Sequence, residues 1–199
     1  MSVRRKGREL ALMALYSLDG VPAFEREETL EQFWSVFDRE EVWKGLFVKR
    51  NRNAHPLDGG ALWELFKALP LTVPEGGVLE APPFAQAANA KAFAMERLLN
   101  ILPQMKELDM KIMDASQGWR LQRMSKVDRN ILRLGAYELS SCPDIPPPVV
   151  INEAIELSKG FSTRKAGSFI NGVLDRINKS NKRGGSAPVF VRKKSRKKS

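Results

Sequence analysis

The 199-residue sequence has little of what a disulfide framework, a metal centre or a membrane span requires. Its one cysteine, Cys142, excludes an internal disulfide and is typical of a reducing compartment. The only histidine, His55, has no cysteine or histidine close to it in sequence, so no zinc site is predicted. No apolar run approaches the ~20 residues of a membrane-spanning helix, and residues 1–8 lack the apolar core of a secretory signal. We therefore expect a cytoplasmic protein without a membrane segment, metal or other cofactor.

A set of catalytic residues is also missing. Glu153 and Glu156 would share one face of a helix, but no histidine, nucleophile or metal-ligand set accompanies them. Gly76 and Gly77 stand alone, so no phosphate-binding glycine loop is indicated. The sequence favours a binding protein over an enzyme.

The positive charge is concentrated at the two ends of the chain. Of the net charge of +10, residues 182–199 contribute +8 and residues 1–9 contribute +3, which leaves −1 for the residues between them. Basic ends on a nearly neutral body are typical of a protein that binds a polyanion, since each cation placed on a phosphate releases counterions. For residues 182–199, a solvated tail that only aids solubility is an equal alternative.

Three helices are predicted between Trp119 and Ile177. Ser125 and Asp128 have the spacing of a capping box at the start of the first helix, and Cys142-Pro143 ends it. The proline-rich segment from Asp144 to Pro148 is predicted to be a stiff, extended connection. A second helix then runs from about Val149 to Lys159, where Gly160 ends it.

The third predicted helix follows Ser162 and carries an apolar stripe at helical spacing. The residues of the stripe are Phe169, Ile170, Val173, Leu174 and Ile177. Asn171-Gly172 would indicate a hairpin turn between alternating residues, but the flanking period is helical. We therefore predict that Gly172 is a close-packing point within the helix.

The first half of the chain has weaker patterns. A basic arm from Arg4 continues into a helix that ends at Asp19-Gly20, and Thr29 with Gln32 predicts a capping box for the next helix. Phe84 to Asp114 has long helical periodicity interrupted by Pro103, which predicts a kink or two abutting helices. The methionines of this segment are predicted to fill the core; they are Met95, Met105, Met110 and Met113.

Several motifs, in order and at matching spacing, resemble the carboxy-terminal half of NusB, a family of bacterial transcription antitermination factors. They include Trp119-Arg120-Leu121-Gln122-Arg123, Val127-Asp128-Arg129, Ile151-Asn152-Glu153-Ala154-Ile155-Glu156-Leu157 and Phe169-Ile170-Asn171-Gly172-Val173-Leu174-Asp175. Arg4-Arg5-Lys6-Gly7-Arg8-Glu9-Leu10-Ala11 is similar to the amino terminus of the family. The resemblance fades after Phe47 and returns near Leu108.

The resemblance implies an all-α fold, a NusB-like helical bundle of two roughly perpendicular three-helix subdomains. Under this interpretation residues 1–9 are a basic arm, residues 10–181 form the all-α domain with an atypical insert at about 48–83, and residues 182–199 are a disordered basic tail.

The resemblance also implies a single-stranded RNA surface. Its candidate residues are Arg4, Arg5, Lys6, Arg8, Lys159, Lys165 and Phe169. Cations would hold the phosphates, and Phe169, at the position of an aromatic residue on the RNA surface of the family, would stack on an unpaired base. The periodicity alone leaves the alternative of a buried Phe169 open.

By the same resemblance the partners are boxA-type RNA of ribosomal RNA operons, the small-subunit ribosomal protein NusE and the RNA polymerase antitermination complex. Tyr16 and Asp128 match positions of the NusE contact, although either residue has a structural alternative. The sequence does not determine the oligomeric state, and a homodimer is one alternative. The other candidate functions are a NusB-like domain related to ribosomal RNA methyltransferases, and a protein-interaction scaffold without sequence-specific RNA binding.

Overall fold

A computed structural model describes residues 2–38, 84–117 and 119–184 of the chain. Within these ranges the secondary structure is helical, without a strand. The α-helices are α1 (Val3–Ser17), α2 (Arg26–Ser35), α3 (Phe84–Ile101), α4 (Met105–Ala115), α5 (Lys126–Ser141), α6 (Pro147–Phe161) and α7 (Ala166–Gly184). Short 3-10 helices occupy Ala23–Glu25, Val36–Asp38 and Leu121–Arg123. His55 and the predicted insert at about 48–83 lie outside the described residues.

Helix α1 is the centre of the packing. It contacts α2, α3, α5 and α6, while α5, α6 and α7 pack on one another and α4 lies against α5 and α7. The side chains between these helices are fully buried; examples are Leu10, Leu12, Leu15, Leu98, Ile131 and Leu134. The predicted all-α helical bundle is confirmed. In the described part of the chain, no helix has the length and apolarity needed to cross a membrane.

Of the two predicted capping boxes, only the one at Ser125 marks the start of a helix. Ser125 Oγ accepts a hydrogen bond from the backbone N–H of Asp128 at 3.0 Å, which caps α5. The capping box at Thr29 is wrong, because α2 begins earlier, at Arg26, and the Thr29 hydroxyl donates to the Glu25 carbonyl oxygen instead. Acidic side chains in the first turn of α2 favour that earlier start.

The two predictions based on prolines have different outcomes. Pro103 lies between α3 and α4, so the prediction of two abutting helices is confirmed. The extended connection through Pro148 is wrong, because α6 already begins at Pro147. The missing N–H of a proline has no cost in the first helical turn, where backbone N–H groups lack intrahelical partners.

Two packing predictions are wrong. A Cβ atom on Gly172 would meet no atom within 4 Å, whereas one on Gly135 would lie 2.8 Å from Leu174 Cδ1. Close packing against α7 therefore uses the glycine of α5. Met110 and Met113 are exposed on α4 rather than buried in the core. Periodicity locates a helical face but does not show whether another helix covers it.

Tyr137 on α5 gives the stability a dependence on alkaline pH. Burial raises the pKa of Tyr137 to about 12, and the neighbouring Cys142 adds to the shift. Between about pH 10 and 12 the unfolded chain loses a phenolic proton that the folded protein retains, so stability falls as pH rises, by about 2 kcal/mol from this group. Urea unfolding across this window should show a shallower decline for Tyr137→Phe. Equal declines in the two proteins would mean that the phenol is not protected.

Candidate nucleic-acid interface

Two of the predicted RNA-binding arginines lie at the accessible start of α1. Arg4 is exposed, and Arg5 is half-buried against α6. The Nε and Nη2 atoms of Arg5 donate to Glu153 at 3.0 and 2.6 Å, and its Nη1 lies 3.9 Å from Glu156 Oε2. The hydrogen bonds to Glu153 raise the pKa of Arg5. In this arrangement a carboxylate occupies the fork that would hold a phosphate.

Lys6 and Arg8 point into the protein instead. Lys6 is 1% exposed and its Nζ lies 2.9 Å from Glu9 Oε2. Arg8 is 4% exposed, and its Nε donates to both carboxylate oxygens of Glu138 at 3.0 and 3.1 Å. The predicted basic arm is thus the first turns of α1, and only part of its charge faces solvent.

Lys159 and Lys165 bring positive charge to the end of α6 and the start of α7. Both side chains are exposed. Lys159 Nζ lies 2.6 Å from Glu156 Oε1, and Glu156 also faces Arg5, so a row of charges follows the outer surface of α6. Gly167, two residues after Lys165, lies close to α6, because a Cβ atom added to Gly167 would be 3.3 Å from Ser158 Oγ. The two lysines therefore belong to adjoining segments of one surface.

Phe169 is half-buried: it packs against the core from α7 and also contacts Trp119. The ring centroids of Phe169 and Trp119 are 5.6 Å apart, with an angle of 46° between the ring planes. Trp119 is 58% exposed. Trp119 was not predicted as a site residue, although a tryptophan beside Arg120 is a sequence signal for a nucleic-acid contact.

Tyr16 and Asp128 lie where α1 ends and α5 begins. Tyr16 is half-buried, with Lys126 Nζ 5.8 Å from its ring centroid. Asp128 Oδ1 accepts a hydrogen bond from the Ser162 hydroxyl at 2.6 Å, which ties the start of α5 to the end of α6. Both side chains remain partly accessible.

An ionic cluster that the sequence did not predict lies beside Tyr16 and Asp128. The Asp19 carboxylate accepts from Arg129 at 2.5 and 2.6 Å and from Asn130 Nδ2 at 2.9 Å. Arg133 donates to Asp109 at 2.7 and 2.8 Å. The cluster connects the end of α1 with α5 and α4, so these arginines have structural roles. Among the residues whose structure is described, no group of three histidine, cysteine or acidic side chains could hold a metal ion.

Comparisons with known proteins agree with this architecture. The family model of NusB matches residues 78–179. The transcription antitermination protein NusB of Myxococcus xanthus (strain DK1622) is 35% identical over 177 residues, which cover 89% of this chain and 95% of that protein. The protein of the same name from Geobacter sp. (strain M21) is 34% identical, with coverage of 89% and 94%.

Solved structures show the same fold. T. maritima NusB superposes with a TM-score of 0.56 at 30% identity, covering 88% of this chain and 90% of that one. A chain in a crystal structure described as a plectonemic RNA supercoil has a TM-score of 0.58 at 22% identity, with coverage of 90% and 96%, and supports the fold alone.

The fold and the basic, aromatic surface define an all-α protein of the kind shared by these transcription antitermination proteins. This chain belongs to the NusB family.

Proposed function

We propose that the protein is a non-enzymatic, cytoplasmic antitermination factor. Together with NusE it would bind boxA-type single-stranded RNA of ribosomal RNA operons and help RNA polymerase resist termination. The observation that carries this proposal is the similarity, over 89% of the chain, to a protein named for transcription antitermination. The exposed cations, together with Phe169 on α7 and its contact Trp119 in the connection between α4 and α5, supply the chemistry that unpaired RNA requires.

The candidate RNA-binding cations fall into two groups that differ in burial and therefore in proposed role. Direct phosphate contacts are proposed for the exposed Arg4, Lys159 and Lys165, and for the half-buried Arg5, which would exchange its pair with Glu153 for a phosphate. Lys6 and Arg8 are buried in ion pairs: Lys6 pairs with Glu9 of the same helix, and Arg8 pairs with Glu138 and so connects α1 to α5. A direct RNA contact from either of these two would require breaking its buried pair, which is costly.

The NusE contact is proposed for the junction of α1 and α5. Tyr16 offers a ring with a polar tip, and the second carboxylate oxygen of Asp128 remains for a donor on the partner.

Binding of a boxA-containing RNA and a scrambled control, with and without NusE, tests the function. We expect a preference for boxA that NusE strengthens and that survives truncation after Gly184, the last residue of α7. Truncation removes six lysines and arginines, so the salt dependence of binding should become shallower. Equal binding of both RNAs that disappears on truncation would instead indicate a general polyanion tail.

Neutralising single lysines tests the surface. Lys159→Gln and Lys165→Gln should each weaken RNA binding and reduce the slope of log affinity against log salt by about 1. Lys111→Gln, on α4 and paired with Glu107 at 3.0 Å, is the matched control and should change neither quantity. If all three variants behave alike, the lysines contribute only through net charge.

A further inference from the structure

The exposed face of Trp119 has no structural explanation in the described fold. Its backbone is fixed, because the hydroxyl of buried Ser116 donates to the Trp119 carbonyl oxygen at 3.0 Å. Its indole touches Phe169 yet remains 58% exposed. A large aromatic ring held in place at the surface has a low ordering cost on binding, which makes it suited to a ligand contact.

The surface beside the rings is open along α7. Gly172 lies nearly one turn after Phe169, and a Cβ at Gly172 would meet no atom within 4 Å. Arg176 follows two turns after Phe169, on the same side of the helix. Its Nη1 donates to the Ala115 carbonyl oxygen at 2.8 Å, which anchors the exposed guanidinium beside the segment that leads to Trp119.

The charges around this open strip favour a polyanion. Exposed cations lie on the two segments that carry the rings; they are Arg120, Arg123, Lys165 and Arg176. The acids on the neighbouring turns are Asp114 and Asp175, and Asp175 lies 2.6 Å from Lys179 Nζ. Stacking rings beside cations are the combination by which proteins bind unpaired nucleotides.

We propose that Trp119 and Phe169 together form a platform for an unpaired RNA base, in which exposed Trp119 supplies the stacking face and Phe169 supports its ring at an angle of 46°, with Gly172 leaving room for the backbone and Arg176 binding a phosphate. This inference rests on the proposed RNA-binding function and adds Trp119, Gly172 and Arg176 to it. The rings come from separate segments that meet only through the packing of α4 and α7.

Substitution of the rings tests the platform in the full chain with NusE present. Trp119→Ala should weaken boxA RNA binding roughly 10-fold or more, and Trp119→Phe should retain most of the affinity because it keeps a stacking face. Phe24→Ala is the matched control, since Phe24 is an 83% exposed aromatic on the 3-10 helix before α2. It should bind RNA like the unaltered protein. Circular dichroism and the unfolding midpoint establish that each variant is folded.

Abasic RNA separates stacking from a general effect of the substitution. RNAs that each lack one base but keep the phosphates should reveal one position at which base removal weakens binding to the unaltered protein. Removal of the same base should hardly change the affinity of Trp119→Ala. Gly172→Ala should weaken RNA binding without lowering stability, and Arg176→Gln should reduce the salt slope by about 1.

The outcomes distinguish the two proposals. No boxA binding by the unaltered protein, with NusE binding intact, overturns the proposed function and the platform with it. Normal boxA binding that Trp119→Ala leaves unchanged overturns the platform alone. Loss of NusE binding or of self-association in Trp119→Ala, with RNA affinity unchanged, would assign this surface to a protein partner and also overturn the platform.

Discussion

Glu138→Ala should destabilise the protein by about 3–5 kcal/mol, because it removes the carboxylate between two buried arginines. The side chain of Glu138 is 1% exposed and accepts hydrogen bonds from Arg8 Nε at 3.0 Å and from Arg97 Nε at 3.3 Å. Without it, the guanidinium groups of Arg8 on α1 and Arg97 on α3 would lose their shared buried carboxylate. A free energy of unfolding from urea titration measures the loss.

Asp175→Ala is the matched control for that substitution. It also removes an acid from an ion pair, but the pair with Lys179 is exposed on α7, so the expected change is within about 1 kcal/mol. A loss below about 1 kcal/mol for Glu138→Ala as well would mean that water or neighbouring acids compensate the two arginines.

Gly7→Ala should destabilise the protein by about 2–3 kcal/mol, since overpacking at a helix contact forces a backbone shift. A Cβ on Gly7 would lie 2.5 Å from Phe93 Cδ1 and 2.9 Å from Phe93 Cβ. The Cβ of Phe93 is tied to the backbone of α3, so rotation of the ring cannot relieve the clash. The Arg97 guanidinium also lies 3.7 Å from the centroid of this ring, so a shift of α3 would disturb the ion pair between Arg97 and Glu138.

The same substitution at Gly172 should have the opposite sign. Gly172→Ala adds a methyl group in open space within α7 and should stabilise the protein by about 1 kcal/mol through helix propensity. Thermal or urea unfolding of both variants provides the comparison. A neutral Gly7→Ala would mean that α1 and α3 are not in rigid contact. A destabilising Gly172→Ala would mean that another group packs against α7 at Gly172.

Local signals predicted local structure well. The Ser125 cap depends on atoms three residues apart, so its outcome is visible in the sequence. The interruption at Pro103 is equally local, because a proline disrupts its own turn. The prediction of a helix start at Thr29 was wrong, but its cause is also local. The acidic residues in the turn that begins at Arg26 favour a helix start there instead.

Burial could not be predicted in this way. Lys6 and Arg8 have the same charge as Arg4, and only the packing of α1 on α3 and α5 decides which cations are buried. The exposure of Met110 and Met113 likewise depends on where the neighbouring helices end. For the candidate RNA surface, the sequence indicated Phe169 through family resemblance, but its contact with Trp119 requires α4 and α7 to lie side by side.

The sequence by itself therefore determined the all-α class, the family, the positions of most helices and the placement of excess charge at the chain ends. These properties depend on periodicity, capping and composition, which act over a few residues or are simple sums. Tertiary structure alone decided which basic residues face solvent, which glycines are close contacts and which rings meet. Those properties depend on contacts between residues distant in sequence, since burial and proximity exist only after the helices have packed.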